Sequence, residues 1–343
     1  MQYEALRKDL EAKKYAPVYF LQGPETYYID TIVKYMEDKV VPPQARSFDL
    51  TTRYGQETTL EEVIICAKRF PMIAPYQLIL IKEAQGLIDL QREARQKALL
   101  TYLEAPNPQT LLVFVYKGKS LDQRKHFTKT LEQKAVLFTG KRVYEKALPQ
   151  WIHTYAKARG YAIDEKASYM LITLVGDDLQ ALASGLDRIM VNVAAGNDIT
   201  MAMVREYVSL SKGFDIFDLQ QAIQVHDLPR VWKVTSHFMN NKKQYPLIPQ
   251  LTLLTNFFTK LLRLHHSACS GVGAIAAKLG IPTYFARNYE KALKHYDLKR
   301  TQQNLIYLHQ ADLQVKGIDY PTIPESAILK TLIGKIMHPQ TNP

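Results

Sequence analysis

Short apolar runs alternate with helical spacings along the first third of the chain. Tyr3, Leu6 and Leu10 recur at i, i+3 and i+7 and predict one face of a helix. Val18-Tyr19-Phe20-Leu21 follows, a continuous run of strand formers that stops at Gly23-Pro24. Ile29, Ile32, Val33, Met36 and Val40 return to helical spacing as far as the Pro42-Pro43 stop. Leu60, Val63, Ile64 and Ala67 predict another helix, and Ala98, Leu99 and Leu103 one more. Leu78 to Ile81, Leu111 to Val115 and Val136-Leu137-Phe138 predict three further strands. Fully apolar strands separated by helices imply a parallel sheet covered on both faces. This part is α/β.

From about residue 145 the strand pattern stops. Trp151, Ile152 and Tyr155 begin a helix, Ala167, Met170, Leu171 and Leu174 form another before Gly176, and Leu179, Leu182, Leu186 and Ile189 a third. Asn197 to Thr200 reads as a turn into a short helix with Val204, Tyr207 and Val208. A break at Ser211-Lys212-Gly213 opens a last, helical third. There Ile216, Leu219 and Ile223, then Val231, Val234 and Phe238 after Pro229, keep helical spacing. Leu251, Leu254, Phe257, Phe258, Leu261 and Leu262 make a broad apolar stripe. The expected division is therefore an α/β domain (1–142) followed by two all-helical domains (143–210 and 211–343). The tail MHPQTNP is expected to fray.

Composition narrows the classes. With 343 residues, 47% hydrophobic and 22% charged, the chain has the make-up of a folded globular protein and not of a disordered one. No run approaches the roughly 18 apolar residues of a membrane span, and the opening MQYEALRKDLEAKK has no apolar signal core. Two cysteines, Cys66 and Cys269, offer neither a disulfide framework nor a paired metal motif, so a cytoplasmic setting is expected. The 44 basic residues exceed the 33 acidic ones by +11. That excess fits a polyanionic partner such as DNA or a basic surface kept for solubility, and the even spread of Lys and Arg leaves both open.

An apolar strand ending in Gly and followed by a helix is where a phosphate-binding loop sits. Such a loop needs G-x-x-x-x-G-K-[ST], in which amides cradle phosphates, lysine neutralises charge and the hydroxyl holds Mg²⁺. Counted from Gly23, the last three positions carry Tyr28, Ile29 and Asp30. The cation is gone, and Glu25 and Asp30 place negative charge where phosphates would lie. The strand expected to end in a metal-holding acidic pair ends in Lys82-Glu83. No cofactor and no metal are expected. The nine histidines lack metal-ligand spacing, with His265 and His266 adjacent on one helix, and no G-x-S-x-G elbow occurs.

One connection stands out. Arg69-Phe70-Pro71-Met72-Ile73-Ala74-Pro75-Tyr76 joins a helix to a strand, yet it is apolar and braced by two prolines. Connections this short are usually polar and superficial. Met72 and Ile73 either tuck into the sheet's own core or form a preorganised knob for a partner's pocket. Burying two such side chains in a partner supplies roughly 3–6 kcal/mol, about two to four decades of affinity.

These stretches together resemble the delta-subunit family of bacterial DNA polymerase III, the clamp-loader wrench. The resemblance runs through VYFLQGPETYYID, RFPMIAPYQLILIKEAQ and LLVFVYKGKSLDQRKHFTKTLEQKAVLF, then LPQWIHTYAKARGYAID, LVGDDLQALASGLDRI and GFDIFDLQQAIQVHDLPR. Their order and spacing carry it, not any single motif. One departure is Gly185, where relatives usually have an acidic residue. The resemblance implies an AAA+-like α/β domain that has lost ATP binding, a small helical lid and a C-terminal helical collar. It implies no catalysis by this subunit itself, within a holoenzyme that is a DNA-directed DNA polymerase, a nucleotidyltransferase.

The same resemblance implies partners. Met72 and Ile73, flanked by Phe70 and Pro71, match the two apolar residues that the family presents to a hydrophobic pocket of the ring-shaped sliding clamp, the beta subunit. The collar would meet the gamma/tau-like ATPase subunits and a delta-prime-like subunit, with primed DNA inside the complex and no membrane. Lys117, Lys119, Arg124, Lys125 and Lys129 form a basic stretch that suits a phosphate backbone, and equally a solvated helix start or a subunit contact. Two other classes fit parts of the pattern: a P-loop-type nucleotide-binding enzyme with a non-standard site, and a helical DNA-binding regulator. The missing lysine counts against the first and the lack of a recognition helix against the second.

Overall fold

The computed structural model describes residues 3–194, 196–208, 215–267, 269–318 and 323–338. The break at Ser211-Lys212-Gly213, the 210/211 boundary and the last five residues of the tail lie outside them. The chain divides into two compact units, Met1–Val143 and Tyr144–Pro343.

The first unit runs α1 (Tyr3–Glu11), β1 (Val18–Gly23), α2 (Thr26–Lys39), α3 (Arg46–Asp49), β2 (Leu50–Tyr54), α4 (Leu60–Ala67), β3 (Gln77–Lys82), α5 (Glu93–Glu104), β4 (Thr110–Lys117), α6 (His126–Lys134) and β5 (Val136–Thr139). The five strands pair in parallel in the order β2-β3-β4-β1-β5. Alternate strand residues supply two cores. Val18, Phe20, Ile79, Ile81, Leu112 and Phe114 meet the apolar faces of α4, α5 and α6. Tyr19, Leu21, Leu78, Leu80, Val113 and Val115 meet α1 and α2. The central strands are buried on both faces, which is why they read as uninterrupted apolar runs. The edge strand β2 did not. Its Leu-Thr-Thr-Arg-Tyr is half-buried at the start and exposed at the end, so nothing in its hydropathy marks it. The helix α6, with Phe127 and Leu131 buried, also lay outside the predicted elements.

The second unit comprises α7 (Leu148–Lys157), β6 (Ala162–Ile163), α8 (Glu165–Val175), α9 (Leu179–Asn192), β7 (Asp198–Ile199), α10 (Met201–Val208), α11 (Ile216–Gln224), α12 (Leu228–Asn240), α13 (Leu247–His265), α14 (Val272–Leu279), α15 (Thr283–His295), α16 (Leu298–Val315) and α17 (Glu325–Met337). It is helical except for one correction: Asp198–Ile199, expected as a turn, pairs in parallel with Ala162–Ile163. Two residues per strand are too few for any periodicity to register. Helices α14 to α17 were likewise not predicted.

The motifs that carry the family resemblance in this unit hold its helices together. Asp178 caps α9 by accepting from the Ala181 amide at 2.8 Å. Asp187 accepts from the Tyr155 hydroxyl at 2.9 Å. Asp215 and Asp218 form a reciprocal capping box at the start of α11, and Arg205 of α10 and Arg230 of α12 reach Asp218 at 3.3 and 2.9 Å. Gly185 is buried in α9, where a Cβ would sit 3.3 Å from Leu171 and 3.7 Å from Val208. An acidic side chain has no room there unless those neighbours move.

Candidate functional site

Parallel strands give the sheet of the first unit two chemically distinct ends. The amino-terminal end receives the connection from α4 to β3. There Met72 is 75% exposed, Phe70 70% and Ile73 59%. Of the two orientations open to Met72 and Ile73, the outward one is present. Pro71 is half-buried, while Ala74 enters the core beside Leu78 and Leu111 and Tyr76 packs against it.

An exposed apolar segment ordinarily folds over itself; polar contacts underneath prevent that here. The Asp49 carboxylate, at the end of α3, accepts the amide of Met72 at 2.6 Å through Oδ1. Its Oδ2 accepts those of Ile73 and Ala74 at 2.9 and 2.7 Å. Pairing of Leu50 with Leu78 sets Asp49 beside the start of β3, where these amides arrive. Burial pushes the Asp49 carboxyl up, and the Ala74, Met72 and Ile73 amides together outweigh it, so the group lies below its ordinary value. Arg69 presents its carbonyl to Gln77 Nε2 and, at 2.7 Å, to Asn107 Nδ2. Ala67, a carbonyl left over at the end of α4, accepts the Thr110 hydroxyl at 3.0 Å and that of Tyr102 at 3.2 Å. Tyr76 packs edge-on against Tyr15, ring centres 5.3 Å apart. The outcome is a greasy tip on a polar, fully engaged base.

The carboxyl-terminal end is where open α/β sheets hold ligands. Gly23 has φ +123°, and a Cβ on it would lie 2.4 Å from the Gly140 carbonyl. Ile29 is completely buried with Leu21, Ile32 and Val115. Tyr28 stacks obliquely on Tyr3 at 4.7 Å. Glu25 caps α2, its carboxylate accepting the Tyr27 amide at 3.2 Å, so an anion already occupies the helix start. Lys82 pairs with Glu37 at 3.0 Å, and Glu83 adopts a left-handed φ of 51°. Asp30 meets Lys117 Nζ at 2.6 Å. That contact joins two residues that sequence reasoning had put in different sites.

The rest of the basic stretch is looser. Lys119, Arg124, Lys125 and Lys129 are exposed around the start of α6. Arg124 forms a two-pronged pair with Asp122, 3.0 and 2.9 Å, which together with the Arg124 amide holds the Asp122 carboxyl down at about 2. Neither Lys82 nor the basic stretch lies at the tip's end of the sheet. Among the described residues no three His, Cys, Asp or Glu side chains form a metal cluster, and no helix is long and apolar enough to cross a membrane.

Sequence reasoning missed Asp49, Gln77 and Asn107, whose contacts with the tip run from Asp49 to Met72 and back from Asn107 to Arg69. It also missed Phe48, 56% exposed beside Asp49. A polar residue bracketing a predicted strand, such as Gln77 before Leu78, was the one available hint.

Residues 19–141 match the family described as DNA polymerase III, delta subunit. The chain is 26% identical over 270 residues to the DNA polymerase III subunit delta of Bacillus subtilis, covering 78% of this chain and 77% of that protein. The solved structure of the Bacillus subtilis DNA clamp loader delta protein overlays it with a TM-score of 0.65 at 21% identity, covering 98% of this chain and 99% of that one, which shows a shared fold along nearly the full length. The α/β unit thus matches the DNA polymerase III delta-subunit family, and over most of its length the chain is similar to a delta subunit.

Proposed function

We propose that this chain acts as a clamp-loader delta subunit, which grips the sliding clamp with the tip at Met72 and Ile73 and favours the conformation in which the ring is open for loading onto primed DNA. The observation that carries the reading is an apolar tip exposed over a base of hydrogen bonds between its own backbone and Asp49, Gln77 and Asn107. Two large side chains meeting a complementary pocket suffice for a binding hot spot. Opening needs more than affinity: a partner shifts a conformational equilibrium only by binding one state better than the other. The tip therefore has to fit the clamp surface better when that surface has moved towards the open form.

The resemblance to the delta-subunit family supports the other roles. The subunit performs no chemistry, binds no nucleotide and works in the cytoplasm. The second unit divides into a lid (143–210) and a collar (211–343), and the collar meets the ATPase and delta-prime-like subunits. Their ATP binding exposes or hides the tip. Lys119, Lys125 and Lys129 approach the DNA backbone within the assembly.

The test is binding of the full chain to the sliding clamp. Met72→Ala with Ile73→Ala is expected to weaken it at least about a hundredfold, about 2.7 kcal/mol, with an unchanged thermal melt. Wild-type affinity in that double variant would end the assignment.

A further inference from the structure

The tip's shape depends on a residue in a different element. Met72, Ile73 and Ala74 turn three successive amides to one point, an arrangement that gathers positive partial charge and suits an anion. The anion is Asp49, which is 2% exposed and takes all three at 2.6, 2.9 and 2.7 Å. Among the described residues no cation pairs with it. The tip's backbone is thus what compensates this covered carboxylate, and any rearrangement of the tip would give up three charge-assisted hydrogen bonds. Side chains with 75% and 59% of their surface in water sit over a carboxylate that their own backbone covers.

We propose that Asp49 is the positioning residue of the clamp-gripping tip, holding its backbone in the bound shape before the partner arrives. The inference rests on the reading of Met72 and Ile73 as that tip. Preorganisation raises affinity by removing the ordering that binding would otherwise require. It also limits how the tip is regulated. A loop clasped at three consecutive amides is delivered preformed, so exposure or concealment by neighbouring subunits acts on the α/β unit as a body and not by melting the loop.

Asparagine is the informative replacement. It keeps size and shape, but one of its two ends carries N–H groups. Its oxygen can serve the Ile73 and Ala74 amides or that of Met72, not both sets, and its nitrogen faces a donor. In the full chain, Asp49→Asn is expected to lower clamp affinity at least tenfold, mainly through faster dissociation. In the Met72→Ala, Ile73→Ala background it should change the residual affinity less than twofold, because its effect passes through those side chains. Wild-type amide exchange supplies an arm that needs no variant to fold. The three amides should exchange at least tenfold more slowly than in an unstructured chain.

Unprotected exchange at residues 72–74 overturns the proposal. So does a folded Asp49→Asn protein that binds within twofold of wild type, or a loss of equal size in both backgrounds, which would mark a general structural effect. These results differ from failure of the underlying reading, in which the Met72/Ile73 double variant itself binds normally.

Discussion

The two ends of the parallel sheet have been treated in opposite ways. At the carboxyl-terminal end, Ile29 is packed into the core, Tyr28 lies against Tyr3, and Glu25 caps the first turn of α2. At the amino-terminal end, Phe70, Met72 and Ile73 are pushed into water over a base of Asp49, Gln77 and Asn107. One end turns apolar surface inward and gains stability. The other keeps it outward over a base of hydrogen bonds to Asp49, Gln77 and Asn107, so that apolar surface stays in water. The two ends of such a sheet can be built independently, because they share strands but no side chains.

The sharpest way to break this comparison is to restore the missing cation. Ile29→Lys places a lysine where a phosphate loop carries one. Because the site is fully buried, it should cost about 3–5 kcal/mol in chemical denaturation, as an uncompensated interior charge does. It should still give no saturable calorimetric isotherm with ATP at millimolar concentration, as the wild-type chain should not. A stable variant, or ATP binding by either protein, would mean that this end is open.

A smaller effect is expected off both ends. Reversing Lys119, Lys125 and Lys129 to Glu should weaken DNA binding of the assembled loader about tenfold or more and lower its salt slope by about three. An unchanged slope would leave these lysines as a solvated face. The smallest change is expected at Phe48, exposed beside Asp49. Phe48→Ala should reduce clamp affinity only about threefold to tenfold, about 1 kcal/mol, if the gripping surface spreads beyond the tip. No change would confine it to residues 70–73.

The elements that were legible share one property: their environment is uniform along their length. β1, β3 and β4 are buried on both faces, and α2, α4, α8, α9 and α13 bury one continuous stripe, so hydropathy alone marks them. β2 was invisible because its wet flank is lined by Thr51, Thr52 and Arg53, whereas the other edge strand, β5, carries Val136-Leu137-Phe138 and was legible. The two-residue β6–β7 pair is too short to have a period at all. For the candidate site, Phe70 to Ile73 stood out by being apolar in a connection. Their direction did not, since a proline-braced apolar segment has the same sequence whether it faces in or out.

The chain's own order of residues determined that Gly23 to Asp30 lacks the cation and hydroxyl of a phosphate loop, because that chemistry is local and needs those groups at fixed spacing. It also determined the alternation of strands and helices, through solvent exclusion along each element. Only the tertiary structure decided which way Met72 and Ile73 point. That choice is made by Asp49, 23 to 25 residues before the amides it holds, and by Asn107, 38 residues beyond Arg69. Hydrogen bonds between such distant positions exist only after the sheet has brought their strands side by side.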